Sequence, residues 1–188
     1  MRKYFVLLWL LCPVAVLTYH FNYGQAELAR ELARERLVHI RELEQAKDPD
    51  WDLILGEYDK IVEQLPPNDH PRARHQVRLA KAKARLEMLD VAGTLTDLTQ
   101  LLFESAAASG EDAPTTRAIR ETQGKAFYYA TSLLRSSGAT EDEWRPFAER
   151  TRQIFRYLAE HQDESALAEY EQRVEKEFQK SVRTHLSQ

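Results

Sequence analysis

LAKAKARLEMLDVAGTLTDLTQLL, residues 79–102, decides the fold. Its leucines, Leu95, Leu98 and Leu102, recur at steps of three and four, the period of an amphipathic helix, and it carries scarcely any alternating run of β-branched residues. Upstream the same spacing puts Ala73, Val77, Ala80 and Ala84 on one seam of a helix running from about Pro71 to Leu89. Small residues along a seam let a neighbouring helix backbone approach closely. Downstream, Thr94-Leu95-Thr96-Asp97 resembles a capping box with Asp in the Glu/Gln position, and predicts a helix start followed by Leu95, Leu98 and Leu102. The stretch is therefore helix, turn, helix.

The pattern extends in both directions. Residues 25–47, QAELARELARERLVHIRELEQAK, form a charged helix with Glu27/Arg30 and Glu31/Arg34 placed for i,i+3 pairing. It is expected to be a stalk. Asp48-Pro49 is a helix start, and Trp51, Ile54, Leu55, Tyr58, Ile61, Val62 and Leu65 give the next helix an apolar face that Pro66-Pro67 ends. SAAASGEDAPTT, residues 105–116, has loop composition. Ile119, Thr122, Ala126, Tyr129 and Leu133 then mark a helix with Gly138 as its C′ residue. Thr140-Glu141-Asp142-Glu143 is a capping box leading to Trp144, Phe147, Thr151, Ile154 and Leu158, with a kink or separate turn expected at Pro146. Asp163 caps a last helix carrying Leu167, Tyr170, Val174 and Phe178. The fold class is all-α, with about seven helices over 48–188 and the segments before it.

Short connections make consecutive helices pack roughly antiparallel. Starts near 50, 94 and 140 lie about 44 and 46 residues apart, the mark of stacked helical hairpins. Residues 79–102 resemble a tetratricopeptide-type hairpin, which implies a helical-hairpin array that binds other proteins; an irregular helix bundle is the alternative. Residues 133–160, LLRSSGATEDEWRPFAERTRQIFRYLAE, resemble accessory proteins found alongside MoxR-type ATPase and von Willebrand factor A systems. That likeness implies an accessory subunit.

The chain opens MRKYFVLLWLLCPVAVLTYHFNYG. Arg2 and Lys3 precede a stretch from Tyr4 to Tyr23 that reaches the roughly 20 residues a spanning helix needs. Tyr19, His20, Phe21 and Tyr23 suit the headgroup zone. The bulky Thr18-Tyr19-His20-Phe21 argues against signal cleavage there, so residues 1–24 are expected to be a cytoplasmic tip and transmembrane anchor. The positive-inside rule leaves Met1 in the cytoplasm and the rest beyond the membrane, periplasmic in a bacterium. Secretion after signal cleavage is the alternative.

Without Arg2 and Lys3 the chain keeps 24 basic against 30 acidic side chains, a balance of −6 that disfavours a nucleic-acid binder. Cys12 is the one cysteine, so the exported part is held by packing alone. No nucleophile elbow, phosphate loop, dinucleotide fingerprint, CxxC or HExxH occurs, and His20, His39, His70, His75, His161 and His185 are scattered. No catalytic residue, metal or cofactor is expected.

Two clusters stand above this background. Arg74, Arg78, Lys81 and Arg85 lie within ~60° of one another on a helix, a single positive stripe. It is either a docking edge or is neutralised internally, with Glu164, Glu171 and Glu175 as the matching acids. Phe127-Tyr128-Tyr129 are three consecutive aromatics that cannot all face one core. The sequence thus reads as a membrane-anchored, non-enzymatic helical adaptor for another envelope protein, with these seven residues as contacts. The alternatives are an accessory subunit stable only when assembled, and an enzyme with an unrecognised helical site.

Overall fold

The computed structural model describes residues 25–65 and 71–161, together with Cys12 and residues 172, 174–176, 178–180, 182 and 183. Every element among the described residues is helical. The order is α1 (Gln25–Glu44), α2 (Trp51–Gln64), α3 (Pro71–Glu87), α4 (Val91–Ser109), α5 (Pro114–Ser136) and α6 (Glu141–Glu160). Helical residues 172–183, where described, follow. The expected span at Tyr4–Tyr23 lies outside the described residues apart from Cys12, as do Pro66, Pro67, His70, Asp163, Leu167 and Tyr170. Among the described residues no helix is long and apolar enough to cross a membrane.

Each helix packs on the next, and α3 also packs on α5. The segment expected as a stalk is part of this packing. Ala33 and Ile40 of α1 are buried against Ile54, Tyr58 and Ile61 of α2, because Ala33, Leu37 and Ile40 recur at helical spacing among the charges. A second core joins α4, α5, α6 and the C-terminal residues Val174 and Phe178.

Helix α3 is shared. Val77 and Ala84 face the α1–α2 core, whereas Leu79, Ala82 and Leu86 face the other. At ~100° per residue these two sets lie on opposite sides of the helix. The alanine seam read from the sequence is the first of these faces.

Several boundaries differ from the sequence reading. Asp50, two residues after Asp48, is the N-cap of α2, and its carboxylate accepts the Leu53 N–H at 3.0 Å. Helix α4 starts at Val91, with Asp90 accepting the Gly93 N–H at 3.1 Å. Thr94 is therefore not a cap but a fully buried helical residue, its hydroxyl bonded to the Asp90 carbonyl at 2.6 Å. Helix α3 ends on Leu89 with φ 60°, a left-handed C′ position usually given to glycine. The Asp90 and Leu89 N–H groups reach back to the Arg85 and Leu86 carbonyls, both at 3.0 Å, and the half-buried Leu89 side chain packs on the core. Packing holds the left-handed turn there.

The loop expected at 105–116 shrinks to 110–113. Ser105 and Thr116 are helical, fully buried and hydrogen-bonded to each other at 2.9 Å across the turn. Polar residues that bond one another mimic loop composition. Gly138, φ 81°, closes α5 as expected, with the Ala139 N–H on Leu134 at 3.0 Å. The Thr140–Glu143 box is formed, the Thr140 N–H meeting the Glu143 carboxylate at 2.7 Å. That bond and the Thr140 hydroxyl hold the Glu143 carboxyl below the usual range. Pro146 leaves α6 continuous, since it is exposed and water can serve the carbonyl it frees.

Candidate functional site

The basic stripe lies on the edge of α3 between its two buried faces, and its members reach alternately to α2 and α4. Arg74 donates to the carbonyls of Val62 and Leu65, at 2.8 and 3.0 Å, which satisfies the last turn of α2 and sets a cation at its negative end. Arg78 pairs with Glu104 of α4. Lys81 returns to Asp59 of α2 at 2.5 Å, and Arg85 bonds Asp97 of α4 at 2.5 Å. The matching acids are thus those of adjacent helices. Glu164 and Glu171 lie outside the described residues, and Glu175 is exposed and accepts from Gln179.

Reversing two of these charges, Arg78→Glu with Lys81→Glu, sets like charges against Glu104 and Asp59. We expect about 2 kcal/mol of lost stability in thermal unfolding followed by circular dichroism, part screened at high salt. Reversal of Arg72 and Lys83, exposed on the opposite edge, should change it by less than about 0.5 kcal/mol.

His75 sits behind the stripe, buried, with Nε2 3.9 Å from Glu104. Burial holds its imidazole below the ordinary 6.5, against the pull of Glu104 and with the help of Arg78 and Arg74. The unfolded chain therefore takes up this proton first as pH falls. The stabilisation is present above about pH 6.5 and is lost as pH drops through the lower folded value. His75→Gln should flatten the fall in unfolding temperature between about pH 7 and 5.

The aromatic run divides as its length requires. Phe127 is half-buried with its ring centroid 6.2 Å from Phe147 of α6. Tyr128, half-buried, and Tyr129, buried, meet Phe178 at 6.1 and 4.9 Å. Phe127 lines a cavity.

That cavity, about 360 Å³, is a groove across α4, α5 and α6. Leu102, Phe127 and Ile154 form its apolar part, and Thr99, Gln123 and Gln153 its neutral polar part. The buried Gln123 amide donates to the Thr99 hydroxyl at 3.2 Å. Arg120 lies over the Tyr157 ring, 4.2 Å from its centroid, and its guanidinium also meets Glu111 of the 110–113 turn. Arg150 stands on the α6 rim. Sequence inspection picked out Phe127 but missed Arg120, Arg150 and Tyr157, which meet only through the packing of α5 on α6.

A longer trough runs between α1 and α3. One cavity, about 450 Å³, is lined by Arg30, Arg34 and Arg41 above Ala33, Leu37 and Val77. A second, about 520 Å³, continues it past Glu44, Lys47, Lys83, Glu87 and Lys180, and Ala80 lines both. In its wall the Tyr58 hydroxyl donates to Glu44 at 2.9 Å. Burial, followed by that carboxylate, pushes the phenol above its ordinary range, so it stays a donor. Among the described residues there is no group of three or more His, Cys, Asp or Glu side chains able to hold a metal.

Comparison of the chain with protein-family models, with curated proteins and with solved structures finds no match.

Proposed function

We propose that this chain is a membrane-anchored, non-enzymatic helical adaptor that holds an extended, acidic segment of another envelope protein. The observation that carries the reading is the α4–α6 groove. Its Arg120 guanidinium is already oriented by the Tyr157 face and donates to the Glu111 carboxylate, with Arg150 lining the same groove and Phe127 on the apolar wall. A peptide acid can take the place of Glu111, which comes from an exposed turn, while a neighbouring side chain covers Phe127. The tetratricopeptide-like rhythm of residues 79–102 supports the same use, since stacked helical hairpins bind peptide segments along a groove.

The apolar segment Tyr4–Tyr23 supplies the anchor in this reading, with Met1 cytoplasmic and the helical body beyond the membrane. The test is photo-crosslinking in cells from position 153 of the full chain, followed by alkaline carbonate extraction of the membranes. Expected are an envelope-protein adduct that Arg150→Glu abolishes and a chain that stays with the lipid. Adducts only to cytosolic proteins, or a mature chain that starts beyond residue 24 and washes off, would overturn the reading.

A further inference from the structure

The trough between α1 and α3 differs from the α4–α6 groove in length, floor and charge. Along α3 its lining runs from Ala73 to Glu87, a distance of ~21 Å at ~1.5 Å per residue. That is about four turns of a helix. The floor is small or aliphatic along most of its length, with Ala33, Leu37, Ala73, Val77, Ala80 and Ala84, and Trp51 and Tyr58 of α2 line its far end, so another helix meets an apolar surface throughout. Because α1 and α3 are separated by one antiparallel helix, they run roughly parallel. A channel bounded by two such helices can receive a third.

The rim fixes the sign of the occupant. On α1, Arg30, Arg34 and Arg41 stand at i, i+4 and i+11, within ~40° of one another. Lys47 extends this side, and Lys83 and Lys180 face it from α3 and the C-terminal helical residues. Against these six cations the lining holds two acids, Glu44 and Glu87. The concentration is notable in a chain of net charge −4. It is also separate from the stripe on α3, whose four members point to α2 and α4.

We propose that the α1–α3 trough is a docking site for an acidic amphipathic helix of about four turns from a partner protein. The partner's apolar stripe lies on the alanine floor, and its flanking Asp and Glu side chains meet the arginines and lysines of the two walls. A bilayer of anionic lipid has the right charge but the wrong shape, since these cations line a concavity and the floor between them is apolar. This site is independent of the α4–α6 groove, and each can fail without the other.

The test uses the full chain in phosphatidylcholine nanodiscs and a fluorescent 16-residue peptide with Leu at i, i+4, i+7 and i+11 and Glu at most other positions. Saturable binding by anisotropy is expected, weakening as salt rises. Arg34→Glu with Arg41→Glu should weaken it at least tenfold, and Lys83→Glu on the facing wall should weaken it as well. These side chains are exposed, and unchanged circular dichroism would confirm that the fold is kept. Arg150→Glu, in the other groove, should have no effect. Equal binding of a peptide with Lys in place of Glu, or indifference to the wall substitutions, would overturn the proposal. So would the same substitutions abolishing binding to phosphatidylglycerol vesicles while the acidic peptide fails to bind.

Discussion

Phe155→Ala should lower the unfolding free energy by about 3–5 kcal/mol, the usual cost of truncating a fully buried phenylalanine. Phe155 is 1 % exposed and lies in the core that joins α4, α5, α6 and the C-terminal residues. It also abuts Gly124 of α5, where there is no room for a side chain between the α5 backbone and the ring. Both helices were packed around that ring, so neither can collapse into the space it leaves. For a body of this size the midpoint should fall by on the order of 10 °C. Thermal unfolding by circular dichroism measures it, and a loss under about 1 kcal/mol would mean the α5–α6 contact is looser than described.

Gly124→Val should do comparable damage from the opposite direction. A Cβ at this position would stand 2.7 Å from Phe155 Cε1 and 3.0 Å from Ile154 Cγ2, and valine adds two methyl groups beyond it. Overpacking costs about 1–3 kcal/mol when a core can shift slightly. Here the obstructing ring is itself enclosed, so a loss of about 3 kcal/mol or more is expected. Gly124→Ala should cost less, because alanine regains up to about 1 kcal/mol of helix propensity. The decisive measurement is a double variant: Gly124→Ala with Phe155→Leu should be more stable than the sum of the single losses predicts, since the smaller side chain opens the space that the methyl needs. Simple additivity would refute the contact.

Helical period made most of the fold legible. The faces of α2, α3, α5 and α6 were readable because Ile54, Tyr58, Ile61, Val77, Ala84, Ile119, Tyr129 and Leu158 recur at steps of three and four and are buried. The misread places share one cause. Thr94, Ser105 and Thr116 are polar residues whose hydrogen bonds are met inside the fold, and composition alone treats them as caps or loops. Helix α1 resembled a stalk because its buried positions, Ala33 and Ile40, are few among many charges.

The charged residues taught a different lesson. Angular position on α3 identified one stripe, but it could not say that Arg74 would cap α2 or that Glu104 would meet Arg78. Such partners come from other helices and depend on how far each chain segment is rotated. The face of Arg30, Arg34 and Arg41 was accessible to the same angular argument. It was hidden by interleaved glutamates, one of which, Glu27, pairs with Arg30 at 3.2 Å. Gly124 gave no sequence signal, as an isolated glycine in a helix reads only as a weak point until its neighbour across the interface is known.

Because α3 is enclosed from two opposite directions, there is no plane along which one half of this body can come apart while the other survives. Opening either core strips apolar cover from the same seventeen-residue rod. Partial melting is therefore penalised twice, and the chain should lose its structure in one concerted transition rather than hairpin by hairpin, unlike long repeat arrays in which each unit depends only on its immediate neighbours.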